Sequence, residues 1–292
     1  VENGEVASER PSLLYSLFSI LSSPTAAPAD PRTDMPPPTP QRIHPYDALA
    51  AGYDVVMAHV AYDEWAEYVL AVFDAHGVAP GTLLELGCGT GSLALELVER
   101  LGPGPRVLAT DRSPAMIRVA RAKAKGLRAS ELTLRFDVAD FTDFALDRPF
   151  DAALLLYDGL NYLLDEADVA ALFARVHQAL VPGGTFVVDQ STPANSLNNA
   201  DYFGDEGEVD RFAYVRRSRY DEATRLHTTE FDLTIDGETY AERHVQRAYA
   251  LDEVAALVDA SPLERVAAYD GFSLDPASAA SERIHWVLRR PA

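Results

Sequence analysis

Cysteine is nearly absent. Cys88 is the single one in 292 residues, so no disulfide can form within the chain. Long apolar runs are missing too, and none approaches the roughly 20 residues that a membrane-spanning helix needs. Basic residues are scarce: 25 Lys and Arg stand against 45 Asp and Glu, for a formal net charge of -20. Non-specific nucleic-acid binding rests on Lys and Arg neutralising phosphates, so this balance argues against nucleic acid and against anionic membranes. The seven histidines show no zinc-type spacing, and no metal is expected. There is no internal repeat. What remains is a chain with 48% hydrophobic residues, enough for a sizeable core in one large domain, or one domain with an insertion.

Residues 83–91 read Leu-Leu-Glu-Leu-Gly-Cys-Gly-Thr-Gly. An apolar strand enters a glycine loop, and a helical pattern follows from Ser92 to Leu101. A second apolar strand, Arg106 to Thr110, ends in Asp111. The glycines let backbone approach a ligand closely, and the acid is placed to bind a ribose. The spacing differs from the dinucleotide pattern G-x-G-x-x-G, whose third glycine position is Ser92 here. No lysine lies nearby, which excludes a P-loop. Glu85, inside the strand, would oppose a pyrophosphate and suit a cation. S-adenosylmethionine carries a sulfonium, an ammonium and an adenosine, and fits Glu85, the glycines and Asp111 better than a dinucleotide does.

Glu85 to Gly91 resembles motif I of class I S-adenosylmethionine-dependent methyltransferases. Further matches follow in the family's order. Asp111 ends the second strand, and Asp137-Val138 ends the third. Phe150 to Asp158 resembles the fourth strand, and Leu180 to Thr185 the turn into the fifth. The resemblance covers about residues 45–292 and is close to small-molecule members, including sugar and glycine N-methyltransferases with inserted strands. It implies an α/β Rossmann-like fold with a central, mostly parallel seven-stranded sheet and an inserted antiparallel β meander. It implies methyl transfer from S-adenosylmethionine, with S-adenosylhomocysteine as product, to the nitrogen or oxygen of a small-molecule acceptor. A non-catalytic cofactor-binding module or partner subunit is the alternative, and a nicotinamide-dependent oxidoreductase fits the glycine spacing and Glu85 less well. The protein is expected in the cytoplasm, as a monomer or homodimer.

Along the chain, residues 1–45 read as a Pro-rich, disordered extension. Leu13 to Leu21 faintly resembles a signal peptide, but secretion would leave the compartment that supplies the cofactor. Met35 reads as a candidate natural start. Helical spacing is predicted for Tyr46 to Met57 and Tyr62 to Ala75. Strands are predicted near 82–87, 106–110, 132–137, 150–157 and 184–189, and helices near 91–101, 114–125 and 165–180. Residues 46–190 with 250–292 form the predicted core. Residues 191–249 form an inserted antiparallel lid, with strands over 209–220, 225–235 and 238–249 and a hairpin turn at Asp236-Gly237. A last helix over Asp252 to Ala260 and closing strands over 263–271 and 284–289 complete the chain.

Candidate cofactor-binding residues are Tyr53, Glu85, Gly87, Cys88, Gly89, Gly91, Asp111, Arg112, Asp137, Val138 and Tyr157. Asp111 has two acceptor oxygens for the ribose hydroxyls. By the resemblance, Asp137 accepts from the adenine amine, the Val138 N–H meets a ring nitrogen, and the Tyr53 hydroxyl closes over the cofactor's carboxylate end. Arg112 is a candidate for the adenine face. Tyr157 ends the fourth strand, where open α/β sheets bind ligands, and is the candidate lining of the transfer channel. His244 is a candidate general base; a histidine on a strand is otherwise structural. Acceptor contacts are sought among Asn161, Gln190, Tyr202, Arg243, His244 and Tyr249. Arg211, Arg216, Arg217 and Arg219 read as a solvated strand with salt bridges, or as contacts for an acidic acceptor.

Overall fold

The computed structural model describes residues 40–125, 134–144, 148–200 and 204–292. The extension predicted for 1–45 lies outside it except at its end, and Tyr202 lies outside it too.

The elements follow in order: β1 (Gln41–Arg42), α1 (Tyr53–Val56), α2 (Tyr62–Ala75), β2 (Thr82–Leu86), α3 (Ser92–Leu101), β3 (Arg106–Asp111), α4 (Pro114–Ala124), β4 (Leu134–Val138), β5 (Phe150–Leu155), α5 (Glu166–Ala179), β6 (Leu180–Ser191) and α6 (Pro193–Asn198). Then come β7 (Gly204–Val209), β8 (Phe212–Asp221), β9 (Leu226–Ile235), β10 (Glu238–Arg247), α7 (Leu251–Asp259), β11 (Glu264–Asp270) and β12 (Arg283–Arg289). Two sheets result. The seven-stranded sheet has the order β11-β12-β6-β5-β2-β3-β4, and the five-stranded sheet the order β1-β10-β9-β8-β7.

In the first sheet β6, β5, β2, β3 and β4 pair in parallel, and β12 alone runs against its neighbours. The chain winds from β2 through β3 to β4, then returns to place β5 on the other side of β2. This reversal opens a crevice at the carboxyl ends of β2, β3 and β5, where ligands bind in such sheets. Apolar side chains pack on both faces. Trp65, Val69, Phe73, Leu97 and Ile117 bury against one, and Phe173, Val176, Tyr249, Val258 and Trp286 against the other. α4 starts where the sequence signals it: Pro114 is its first residue, and the Ser113 Oγ accepts from the Met116 N–H at 3.3 Å.

The second sheet departs from expectation in two places. The meander β8-β9-β10 is present, and its Asp236-Gly237 turn has positive φ at both residues, as a tight hairpin requires. It gains β7 on one edge and β1 on the other. Residues 41–43, assigned from composition to the disordered extension, instead bond to β10: Gln41 and Arg42 pair with Tyr240 and Ala241, and the Ile43 N–H donates to the Ala241 carbonyl at 3.2 Å. An exposed strand edge offers unpaired backbone groups, and two residues of almost any type can fill it. The region predicted as one helix over 46–57 is broken into a 3-10 turn at Leu49–Ala51 and the four-residue α1. The break falls at Gly52, where an added Cβ would lie 2.2 Å from the Phe212 ring. The inward face of the meander, with Phe212, Phe231 and Leu233, packs on Leu49, Val56 and Met57.

Candidate active site

β2 delivers Leu86 to the loop, and Gly87, Gly89 and Gly91 all take positive φ, of 64°, 55° and 77°. The requirement is sharpest at Gly91, where a Cβ would meet the Phe136 ring at 2.6 Å. The loop is tied to β3 at two points. The Cys88 N–H donates to the Thr110 carbonyl at 2.9 Å, and the Gly89 N–H donates to Asp111 Oδ2 at 2.9 Å. Asp111 Oδ1 accepts from the Ser113 N–H at 2.8 Å. Burial raises the Asp111 pKa, and these two N–H groups and Arg112 oppose the rise.

Beneath the loop lies a cavity of about 310 Å³. Its walls include Glu85, Gly87, Cys88, Gly89, Asp111 and Arg112. Glu85 is buried, and its Oε2 has no hydrogen-bond partner among the described residues. Burial first, and then the Asp111 charge, push its carboxyl up to about 8. A buried, unpaired carboxyl beside a second acid is costly in isolation and well placed to meet a cation. Cys88 is buried, and burial raises its thiol pKa well above the ordinary value, which leaves it unreactive.

A second cavity, of about 100 Å³, lies under the inserted sheet. Tyr46, Tyr53, Tyr157 and Tyr162 line both spaces. Tyr53 is carried on α1, whose next residue is fastened to the glycine loop: Asp54 accepts from the Thr90 hydroxyl at 2.5 Å and from Lys123 at 2.9 Å. Tyr157 and Asp158 have φ of 67° and 66°, a strained pair for residues with side chains. Buried Arg283 holds them. It pairs with Asp158 at 2.7 Å and with Asp189, and Asp189 accepts from the Asp158 N–H at 3.1 Å.

The smaller cavity is lined by His244, Arg216, His227, Asn161, Ser196 and Thr229, among others. His244 is buried between two partners. Its Nδ1 lies 3.0 Å from the Tyr162 hydroxyl, and its Nε2 lies 3.1 Å from Glu242 Oε2. Arg216 sits on the inward face of β8 and pairs with Asp205 at 2.5 Å. Arg211 and Arg217 lie outward, paired with Asp236 and Asp232. The basic cluster is thus divided between two faces, because strand neighbours point to opposite sides.

Several predicted residues lie outside the cavities where they were sought or are engaged elsewhere. Asp137 and Val138 do not line the larger cavity. Asp137 pairs with Arg121 at 3.2 Å and with Arg135, Val138 is half exposed, and Asp140 and Phe141 form the wall instead. Gln190 and Tyr249 are core groups. Gln190 donates to the Tyr249 carbonyl at 2.9 Å and accepts from the Trp286 ring N–H at 2.7 Å, while the Tyr249 hydroxyl donates to the Leu163 carbonyl. Arg243 borders the larger cavity rather than the smaller. Asn161 reaches the smaller cavity, but its amide is committed to Ser191 and the Arg247 carbonyl. Tyr46, Tyr162 and Glu242 were missed. Glu242 and His244 are two apart on one strand, which puts them on one face, and that spacing was the available signal. Tyr46 carried none, since its place depends on contacts with residues 116 and 196 positions away. Among the described residues no His, Cys, Asp or Glu cluster is arranged to hold a metal, and no helix is long and apolar enough to cross a membrane.

This architecture is that of class I methyltransferases, and comparison with known proteins agrees. Residues 83–184 match the family model described as a methyltransferase domain. The chain is 31% identical over 255 residues to the methyltransferase-family protein YqeM of Bacillus subtilis, covering 84% of this chain and 97% of that one. Among solved structures, an S-adenosylmethionine-dependent methyltransferase from Clostridium acetobutylicum is similar with a TM-score of 0.69 at 22% identity, covering 85% of this chain and 99% of the other. The sugar N-methyltransferase KedS8 from Streptoalloteichus is similar with a TM-score of 0.62 at 21% identity, covering 94% and 100%. The chain belongs to the S-adenosylmethionine-dependent methyltransferase family, and S-adenosylmethionine is its cofactor. The larger cavity fits that molecule: a glycine cradle, an unpaired buried acid for an ammonium, and an acid ending β3 for a ribose.

Proposed function

We propose that the chain methylates a small molecule, on nitrogen or oxygen, held in the smaller cavity. The observation that carries this reading is the adjacency of two cavities of unequal size across one tyrosine wall. The larger suits a nucleoside-sized cofactor, and the smaller leaves room for the reacting end of a compact acceptor. Residues 191–249 act as the lid of this acceptor site, and the similarity to a sugar N-methyltransferase is consistent with that role.

When bound, S-adenosylmethionine supplies a methyl group on an electrophilic sulfonium. The chain then has to align the acceptor, exclude water and take a proton. Gly87, Gly89 and Gly91 give the cofactor a backbone surface, Glu85 meets its ammonium, and Asp111 holds the ribose hydroxyls. Cys88 and Arg112 complete the wall. Tyr53 and Tyr157 border the passage between the cavities, with Tyr157 fixed by the Arg283 cluster. His244, in the wall of the smaller cavity, is the group on which the released proton comes to rest. We place the reaction in the cytoplasm, in a monomer or homodimer.

Calorimetry with S-adenosylmethionine, S-adenosylhomocysteine and NAD tests the cofactor half. Micromolar binding of the first two and none of the third is expected. Methyl transfer from labelled cofactor to a panel of small amines and alcohols tests the rest. Tight cofactor binding with no labelled product from any of them would favour a non-catalytic module instead.

A further inference from the structure

Glu242 has an unusual set of partners for a lid residue. Its side chain is fully buried, yet every contact it makes is a donor. Oε1 accepts from the Ala48 N–H at 2.7 Å and the Leu49 N–H at 2.9 Å. Oε2 accepts from the Tyr46 N–H at 2.7 Å and faces His244 Nε2 at 3.1 Å. Burial would raise its pKa, but His244 and the three N–H groups prevail and hold it below the ordinary range. Glu242 is therefore an anion, and an anion only accepts. The proton between it and His244 belongs to Nε2, so in the neutral form of the imidazole Nδ1 is the lone-pair nitrogen. In that form Nδ1, 3.0 Å from the Tyr162 hydroxyl, accepts from it. The oxygen of Tyr162 in turn bonds to the Tyr46 hydroxyl.

In the neutral form of His244 the direction of this chain of bonds is set from its buried end. The Tyr162 ring lines both cavities, and His244 lines the smaller one. Tyr46 is held in place at high cost. It has φ of 69°, its N–H is bound by Glu242, and its carbonyl accepts from Ser113 Oγ at 3.4 Å. Burial raises the Tyr162 phenol, as do Asp158, Asp111 and Glu242, so Tyr162 does not itself ionise. It passes a proton on rather than keeping a negative charge.

We infer that Tyr162, His244 and Glu242 form the proton-accepting relay of methyl transfer, with Tyr162 the group that touches the acceptor. This rests on the small-molecule reading above. As the acceptor's N–H or O–H is replaced by N–CH₃ or O–CH₃, its proton passes to the Tyr162 oxygen and the original Tyr162 proton passes to Nδ1. The products at the relay are neutral Tyr162, an imidazolium at His244 and the unchanged carboxylate of Glu242, which stabilises the new charge. Glu242 is a positioning residue: it fixes the tautomer, as the carboxylate does in hydroxyl–imidazole–carboxylate triads. The other ionisable groups facing this space are Tyr46, Tyr53, Tyr157, Asp158, His227 and Arg216 with its partner Asp205.

Nitrogen-15 spectra of the histidine side chains in the whole protein test the relay without an acceptor. His244, assigned by its loss in His244→Asn, should show the Nε2–H tautomer, and its Nδ1 signal should move in Tyr162→Phe. An Nδ1–H tautomer, or an Nδ1 signal indifferent to Tyr162→Phe, overturns the proposal. With any panel compound that takes up label, Tyr162→Phe should lower kcat by about 10²–10⁴-fold. S-adenosylhomocysteine affinity should fall by less than about tenfold. An unchanged kcat overturns the relay. Glu242→Gln should shift the acid limb of the rate profile to lower pH, which a purely structural role would not do. That variant also loosens Tyr46, Ala48 and Leu49, so Tyr162→Phe carries the decision. Label uptake by no compound counts against the small-molecule reading, while the tautomer still decides the relay.

Discussion

The two cavities meet at one tyrosine wall but differ in how their polar groups are satisfied. In the larger, Glu85 keeps an unpaired buried oxygen, and Asp111 spends only two of its acceptor positions, on Gly89 and Ser113. In the smaller, His244 has a partner for each nitrogen, the Asn161 amide is committed, and Arg216 is paired with Asp205. The first site carries an electrostatic cost that a cationic ligand relieves. The second is internally satisfied, and an acceptor has to exchange bonds with it. A motif can mark the first kind of site, because the unmet need resides in a few adjacent residues. It cannot mark the second, whose balance is spread over strands far apart in sequence.

The strongest way to break the contrast is to close the cradle. Gly91→Val places a side chain against Phe136 at a positive φ, and strain and overpacking together should cost about 3 kcal/mol or more. Denaturant unfolding should show this loss, and calorimetry should show cofactor binding gone. If the variant binds normally, the glycine conformation is not what receives the cofactor.

Asp111→Ala comes next. It removes the proposed ribose acceptor and leaves the Gly89 and Ser113 N–H groups unanswered. Lost hydrogen bonds to a charged group are worth about 1.5–3 kcal/mol, so S-adenosylmethionine affinity should fall by roughly 10–150-fold. Calorimetry measures it, and an effect below about threefold would put the ribose elsewhere.

Glu85 sharpens the comparison through pH. Its carboxyl is raised from 4.5 to about 8 in the fold, so folding favours the neutral form. The free protein holds this contribution fully below pH 4.5 and loses it as pH rises through about 8. A bound cation favours the ionised form, so binding expels a proton and affinity should rise with pH over the same window. Glu85→Gln should flatten that slope and weaken binding at pH 8 by about tenfold. Calorimetry in two buffers of different ionisation enthalpy reads the proton directly. An equal slope in both proteins would remove Glu85 from the ammonium site.

The smallest effect belongs to the outer face of the inserted sheet. Arg217 and Asp232 form an exposed pair there, and Arg217→Ala should change stability by less than about 0.5 kcal/mol. Thermal unfolding checks it. A larger loss would mean that this face is covered by something outside the described residues.

The amino-acid sequence by itself determined the alternation of strand and helix, the glycine loop, the acid at the end of β3 and the hairpin at Asp236-Gly237. Each follows from local chemistry: periodicity, a need for positive φ, or a side chain adjacent to the turn it serves. The boundaries of α3 and β9 lie within one residue of those expected, for the same reason. Only the tertiary structure decided the rest. It brought Gln41–Ile43 to the edge of β10, turned Arg216 inward and Arg217 outward, and set Asp137 in ion pairs with Arg121 and Arg135. It also set Tyr46, Tyr162, His244 and Glu242 in one hydrogen-bonded line. Those outcomes depend on the register between strands and on a buried carboxylate finding its donors nearly two hundred residues away, and no local pattern records such pairings.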